Sequence, residues 1–87
     1  MAYVDTYFSK EGRYSIGIED DTQKRYLSIP VSNGVFDYEE YYELTAHEYD
    51  SLLADPDAAR RFAESCRNRE RDELLIEKPG WNRGTPV

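Results

Sequence analysis

The segment KRYLSIPVSNGVFDYEEYYELT, residues 24–45, decides the fold because it contains two alternating runs joined by Asn33-Gly34. Alternation of apolar and polar residues is typical of a strand with one face in a core and one in water. Asn and Gly both tolerate positive φ, which a type I′ hairpin turn requires. The segment therefore predicts an antiparallel hairpin whose first strand turns these residues inward: Leu27, Ile29 and Val31.

A two-residue loop at Asn33-Gly34 sets a register that can be checked. It would pair Val31 with Phe36, and it would place Pro30 at a hydrogen-bonded pair with Asp37. Proline has no N–H to donate there. We therefore expect a bulge or local break near Pro30, or a slightly longer loop.

The second run, residues 35–45, has a core face and an acidic face if it is a strand. The core face would be Phe36, Tyr38, Tyr42 and Leu44, and the opposite face Val35, Asp37, Glu39, Tyr41 and Glu43. A helix is the rival, because three tyrosines have i, i+3, i+4 spacing. The tyrosine content and the preceding turn favour the strand, with Lys24 and Glu43 as a cross-strand ion pair.

Two further strands are predicted upstream of this hairpin. Residues 13–19 alternate with Tyr14, Ile16 and Ile18 on one face, and residues 2–8 are β-prone with either face inward. Polar turn sequences at residues 9–12 and 20–23 separate the runs. The pattern is a meander.

Helix signals follow the hairpin. Thr45 and Glu48 fit a capping box that starts a helix over about 46–54, and Asp55-Pro56 caps and begins a second helix. The apolar stripe of the second helix is Ala59, Phe62, Ala63 and Cys66. Residues 74–76 either extend this helix or form a short final strand, and residues 78–87 form a tail.

The whole chain of 87 residues is long enough for one hydrophobic core and too short for two. We therefore predict a single α+β domain over residues 1–87. An antiparallel sheet of about four strands occupies residues 2–45, and two helices within residues 46–77 pack on its apolar face. The opposite, acidic face would then be open.

Negative charge is concentrated in the first part of the chain. The formal net charge is −7, and residues 1–57 hold 13 acidic and 4 basic side chains together with all eight tyrosines. This balance argues against direct binding to nucleic acid or to an anionic membrane and favours neutral or basic partners.

The inventory of reactive residues is small. The chain has a single cysteine, Cys66, and a single histidine, His47, which are too few for a Cys/His zinc site. It also has no nucleotide-binding or nucleophile motif. We expect no cofactor, no metal and no enzymatic activity. The chain shows no secretory signal and no apolar run of the length of a membrane span, which predicts a cytoplasmic protein.

The best candidate site is a protein-binding surface on the acidic strand face. Side chains two apart on a strand stand roughly 7 Å from each other, so the carboxylates form a ladder, and tyrosine is enriched at interface hot spots. We predict contacts from Asp37, Glu39, Tyr41 and Glu43, with Tyr26 and the turn Glu19-Asp20-Asp21 beside them. The alternatives are an ordinary solvated face, or contact with an acidic partner through the arginines that begin at Arg60 and Arg61.

The chain resembles the small acidic immunity proteins of bacterial contact-dependent growth inhibition and related polymorphic toxin systems. The resemblance covers size, acidity and α+β build, and the stretches Tyr41-Tyr42-Glu43-Leu44-Thr45, Phe62-Ala63-Glu64-Ser65-Cys66-Arg67, and Pro79-Gly80 leading to Arg83-Gly84-Thr85-Pro86. It implies a cytoplasmic protein that binds one cognate toxin domain, often a nuclease, and blocks its basic active-site or substrate-binding surface. Two alternatives are a phage or plasmid nucleic-acid mimic that inhibits a host defence nuclease, and a protein-binding regulatory module.

Overall fold

Four antiparallel strands in the order β1-β2-β3-β4 precede two helices in the computed structural model, which describes residues 2–87. The strands are β1 (Tyr3–Ser9), β2 (Tyr14–Glu19), β3 (Arg25–Ser32) and β4 (Asp37–Leu44), and the helices are α1 (Ala46–Ala54) and α2 (Pro56–Arg67). A 3₁₀ turn (Asp72–Leu74) and a short strand β5 (Thr85–Pro86), paired with β3, complete the chain. The predicted α+β fold is confirmed.

The β3–β4 hairpin has a four-residue loop. Ser32 pairs with Asp37 and Pro30 with Glu39, so the two-residue loop is wrong and the longer loop is confirmed. The Asn33 N–H donates to the Phe36 carbonyl at 3.1 Å, which makes residues 33 and 36 a hydrogen-bonded pair. Because such pairs alternate along an antiparallel ladder, Pro30 falls at a non-hydrogen-bonded pair. Its missing N–H therefore costs no bond to β4.

Asn33 builds this loop with its side chain. The Asn33 Oδ1 accepts the N–H groups of Val35 and Phe36 at 2.9 and 2.8 Å, and Gly34 has a φ of +88°. This Asx-type turn replaces the expected type I′ turn. Phe36 lies in the loop and is 64% exposed, so its assignment to the core face is wrong.

The core lies between the sheet and the helices. Alternating residues of β2, β3 and β4 face α2, whose Ala59, Ala63 and Cys66 are buried as predicted, with Phe62 partly buried at the edge. The strand residues of this core are Tyr14, Ile16, Leu27, Ile29, Val31, Tyr42 and Leu44. Small residues on the stripe of α2 let the helix approach the sheet closely enough to bury these larger side chains.

Both helix starts follow their sequence signals. The Thr45 hydroxyl accepts the Glu48 N–H at 3.1 Å, and the Glu48 carboxylate accepts the Thr45 N–H at 2.8 Å, so the capping box is complete. The Asp55 carboxylate accepts the Ala58 N–H at 3.1 Å, with Pro56 as the first residue of α2. Among the described residues, no helix combines the length and hydropathy needed to cross a bilayer.

The C-terminal segment is bound to the sheet, which corrects the predicted tail at residues 78–87. Leu75 forms a bridge with Tyr42 on the outer edge of β4, and β5 pairs with β3. Between these contacts, the Arg83 guanidinium binds the carboxylates of Glu40 and Asp72 at 2.7 and 2.8 Å. These hydrogen bonds with Arg83 hold the pKa of Asp72 below its usual range.

Candidate protein-binding surface

Strand β1 covers part of the sheet face opposite the helices. The Tyr3 ring in β1 stacks on Tyr41 of β4 with a centroid distance of 3.5 Å and an interplanar angle of 10°. The Tyr26 ring of β3 meets both rings edge-on, at 5.4 Å from Tyr3 and 5.0 Å from Tyr41. We call these three residues the tyrosine cluster. The expectation that this face is open is therefore corrected.

Gly17 of β2 lets β1 reach across the sheet. A Cβ at this position would lie 2.2 Å from the Val4 carbonyl oxygen and 2.4 Å from the Tyr26 hydroxyl oxygen, both far inside contact distance. A register shift between Asp5 and Tyr7 marks a bulge in β1, and bulges bend and twist a strand locally. Together these features place Tyr3 over the outer face of β3 and β4.

Carboxylates bind two of the three hydroxyl groups of the tyrosine cluster. The Tyr26 hydroxyl donates to Asp5 at 2.5 Å, and the Tyr3 hydroxyl donates to Glu77 at 2.9 Å. Burial, followed by these hydrogen bonds and negative charges, raises the pKa of Tyr3 and of Tyr26 well above the usual range. Both hydroxyls stay protonated and act as donors to the acidic groups.

The charges on this face are only partly balanced within the chain. Burial raises the pKa of Tyr41 to about 12, and the negative charges of Glu39, Asp5 and Glu77 add to the effect. Burial also raises the pKa of Glu39; the Ser28 hydroxyl, 3.1 Å away, opposes this shift and Asp5 reinforces it. Asp5, Glu39 and Glu77 therefore place negative charge next to the Tyr41 hydroxyl.

The predicted carboxylates Asp37, Glu39 and Glu43 lie on the same face of β4 as Tyr41, and we call these three residues the acidic rim. Asp37 and Glu43 are exposed, while Glu39 and Tyr41 are half-buried. The Lys24 ammonium lies 3.9 Å from the Glu43 carboxylate, as the sequence predicted, and both side chains remain half exposed. All four residues are accessible at one surface, beside Tyr3, Asp5 and Glu77.

Tyr26 does not reach solvent. Its exposed fraction is 0%, because the rings of Tyr3 and Tyr41 pack against it and Asp5 holds its hydroxyl. The prediction that Tyr26 contacts a partner is corrected. Its role is to support the tyrosine cluster from beneath.

The turn Glu19-Asp20-Asp21 is built around a buried carboxylate. Glu19 is 1% exposed, and its carboxylate accepts the Thr22 hydroxyl at 2.5 Å and the backbone N–H groups of Asp21 and Thr22 at 2.8 Å. The Thr22 hydroxyl and the Asp21 N–H lower the pKa of Glu19 to about 2. Glu19 therefore shapes the turn and is not a contact residue, which corrects that prediction.

The other two residues of this turn are exposed. The Asp20 carboxylate accepts the Ala2 N–H at 2.8 Å, and Asp21 lies beside it. One oxygen from each of the three carboxylates lies within 4.8 Å of the others. Both Glu19 oxygens already accept hydrogen bonds from the turn. The close approach of the three carboxylates is therefore explained by the geometry of the turn itself.

A groove with a volume of about 790 Å³ adjoins the acidic rim along the outer edge of β4. One wall is formed by residues 36–41, and the other by residues 77–80 and Asn82. Sequence reasoning missed this groove, and it missed Tyr3, Asp5 and Glu77, because their placement depends on β1 and the C-terminal segment folding back onto β4. Comparison with protein-family models, curated proteins and solved structures gives no significant match for this chain.

Proposed function

We propose that this protein is an immunity protein: it binds a basic toxin domain in the cytoplasm and neutralises it. A nuclease domain fits best, because such a domain binds phosphates through lysines and arginines. These cations can form ion pairs with carboxylates instead. The observation that supports the proposal is the negative charge beside the stacked rings of Tyr3 and Tyr41. Asp5, Glu39 and Glu77 act on the Tyr41 hydroxyl, and Asp37 and Glu43 extend this charge along the exposed face of β4.

The surface is held in position before any partner arrives. Tyr41 is fixed by stacking on Tyr3, and hydrogen bonds fix Tyr3, Glu39 and Asp5. A pre-organised surface loses little conformational entropy on binding, and aromatic anchors in such a surface contribute a large share of affinity. This rigidity distinguishes the surface from a solvated strand face of mobile side chains.

The concentration of negative charge on this face predicts how fast the protein associates with a basic partner and how slowly it dissociates. Complementary charge steers encounter and raises the association rate at low salt, whereas packing of aromatic anchors slows dissociation. An inhibitor of a toxin benefits from both effects, because the toxin must be captured before it acts.

The test is co-expression with the toxin encoded beside the gene, followed by growth rescue, copurification and binding kinetics. Asp37→Lys with Glu43→Lys reverses two exposed charges of the rim, and Asp50→Lys with Glu70→Lys reverses two exposed charges elsewhere at the same net charge. The rim variant should lower the association rate about tenfold or more at low salt and much less at high salt. Failure to rescue growth or copurify, or equal losses in the two variants, would overturn the proposal.

A further inference from the structure

The outer edge of β4 is paired along only part of its length. Near its C-terminal end, Leu75 bridges Tyr42, and the Ile76 N–H donates to the Tyr41 carbonyl at 2.9 Å. Over residues 2–87, no strand pairing is found on this side of residues 37–40, where the groove begins. The edge therefore passes from a paired section into an open one.

The backbone of the open section faces the groove. In a strand, the N–H and C=O groups of one residue point to the same edge, and alternate residues point to opposite edges. Since the Tyr41 carbonyl points outward to Ile76, the backbone groups of Glu39 and Asp37 point outward as well. The opposite wall does not close this gap, and Pro79 in that wall has no N–H to donate.

The side chains around the open edge favour a basic segment. Asp37, Glu39 and Glu77 line the groove, against one basic lining residue, Lys78. The carboxylate of Glu40, also in the lining, is already bound by Arg83.

Two exposed aromatic residues lie in the segments that line the groove. Phe36 lies in the lining, and Trp81, between the lining residues Gly80 and Asn82, is 97% exposed. Aromatic side chains next to an unpaired strand edge provide apolar contacts for alternate side chains of an added strand.

From this edge and its charge we infer that the groove receives an extended, lysine- or arginine-bearing segment of the partner protein, which adds to β4 as a further strand. The inference rests on the proposed function and specifies how the basic partner is recognised. Main-chain hydrogen bonds to Asp37 and Glu39 supply affinity, and the groove carboxylates select basic side chains. A second copy of this chain is a poorer occupant, because two such edges would bring like charges together.

The probe is a capped peptide of alternating lysine and valine, added to the ¹⁵N-labelled full-length protein. We expect chemical-shift changes and slowed hydrogen exchange at the amides of Asp37 and Glu39, and no binding of the matching glutamate–valine peptide. A lysine–valine peptide that is N-methylated at every residue keeps its charge but has no N–H to donate from either edge, so it should bind about tenfold more weakly or worse. Equal binding of the methylated peptide would overturn strand addition.

A pair of variants separates the backbone contribution from the charge. Asp37→Ala removes the carboxylate and keeps the N–H, whereas Asp37→Pro removes both at the first residue of β4, where proline is tolerated in strands. Asp37→Pro should weaken peptide binding about three- to tenfold beyond Asp37→Ala, which corresponds to one backbone hydrogen bond. Equal binding by two variants that both fold, as judged by circular dichroism, would contradict the inference.

The outcomes for the inference and for the proposed function are distinguishable. A toxin that copurifies but leaves the amides of Asp37 and Glu39 unprotected would overturn strand addition and leave the immunity function standing. Peptide binding at this edge without toxin rescue would overturn the immunity function and support the edge as a site for basic strands. Self-association that protects the same amides would show that a second copy occupies the groove.

Discussion

Tyr3 and Tyr41 stack at a centroid distance of 3.5 Å, although β2 and β3 lie between their strands in the hydrogen-bonded order of the sheet. The stack encloses Tyr26 and brings the N-terminal strand to the acidic rim of β4. The surface proposed for partner binding is therefore a product of sheet curvature as much as of the β4 sequence.

Removal of the Tyr3 ring should destabilise the fold. We expect Tyr3→Ala to lower the free energy of unfolding by about 2 kcal/mol, because both a ring pair and buried apolar area are lost. Tyr3→Phe keeps the stack and loses only the bond to Glu77, so it should cost about 0.5–1 kcal/mol. Urea denaturation measures both losses, and equal losses would show that the hydroxyl, not the stack, matters.

Gly17 and Gly80 form a matched pair for testing the close approach of β1. A Cβ on Gly17 would lie 2.2 Å from the Val4 carbonyl, whereas a Cβ on Gly80 would meet nothing closer than 3.4 Å. Gly17→Ala should therefore cost about 2 kcal/mol or more through backbone displacement, and Gly80→Ala should change stability by less than about 0.5 kcal/mol. Thermal unfolding of the two variants measures the difference, and a tolerated Gly17→Ala would contradict the geometry.

Local signals in the sequence predicted the elements well. The capping box at Thr45-Glu48 and the Asp55-Pro56 start depend on neighbours within one helical turn, and both helices begin where these signals place them. The β3–β4 register was harder to predict, because the Asn33 side chain accepts hydrogen bonds from two backbone N–H groups and so stabilises a longer loop. The position of Pro30 was the signal that a two-residue loop was wrong.

Long-range contacts explain what the sequence did not reveal about the site. Tyr3 and Glu77, which are far apart in the sequence, are joined by one hydrogen bond. Arg83, in the irregular segment before β5, forms an ion pair with Glu40 of β4. Nothing in the local pattern of residues 77–83 indicates these partners. Burial of Glu19 was missed for a related reason, since an acidic turn is normally solvated and only its Thr22 and backbone donors make burial favourable.

The buried ion pair of Arg83 and Glu40 should anchor the wall of the groove. Arg83→Met leaves the Glu40 carboxylate buried with its cation lost, which should cost about 3 kcal/mol. Adding Glu40→Gln should recover part of that loss, because the uncompensated charge is then absent. Arg60→Met, which removes the exposed pair with Asp57, should cost less than about 1 kcal/mol. Denaturation of Arg83→Met, Glu40→Gln, their double variant and Arg60→Met tests this, and additive losses for Arg83 and Glu40 would contradict the coupling.

The lowered pKa of Glu19 predicts a specific dependence of stability on pH. A carboxyl whose pKa is about 2 in the folded state and 4.5 in its ordinary state stabilises the fold above pH 4.5. This contribution is lost as the pH falls from 4.5 towards 2, so Glu19→Gln should flatten the stability curve across that interval. Thr22→Val removes one donor and should raise the pKa of Glu19. NMR titration of the Glu19 carboxyl measures it directly, and titration near 4.5 in the folded protein would refute the prediction.

Trp81 is the only tryptophan of the chain, is 97% exposed and lies in sequence between the groove-lining residues Gly80 and Asn82, so a partner in the groove can cover it without any change in the core. Trp81→Ala should leave the free energy of unfolding within about 0.5 kcal/mol of the wild-type value, because no apolar area is re-exposed. It should weaken binding of the basic partner about tenfold or more if the ring packs on the added strand. Val35→Ala, at another exposed apolar position, is the control and should bind normally.

The same residue gives a direct optical signal for strand addition. The emission of Trp81 should match that of a solvated indole in the free protein and shift to shorter wavelength when the partner covers the ring. Unfolding alone should change this emission little, since the ring is already in water. Two results would place the ring outside the interface: an emission spectrum that does not change at saturating partner concentration, and full affinity of Trp81→Ala for the partner. The bound segment would then be limited to the β4 side of the groove.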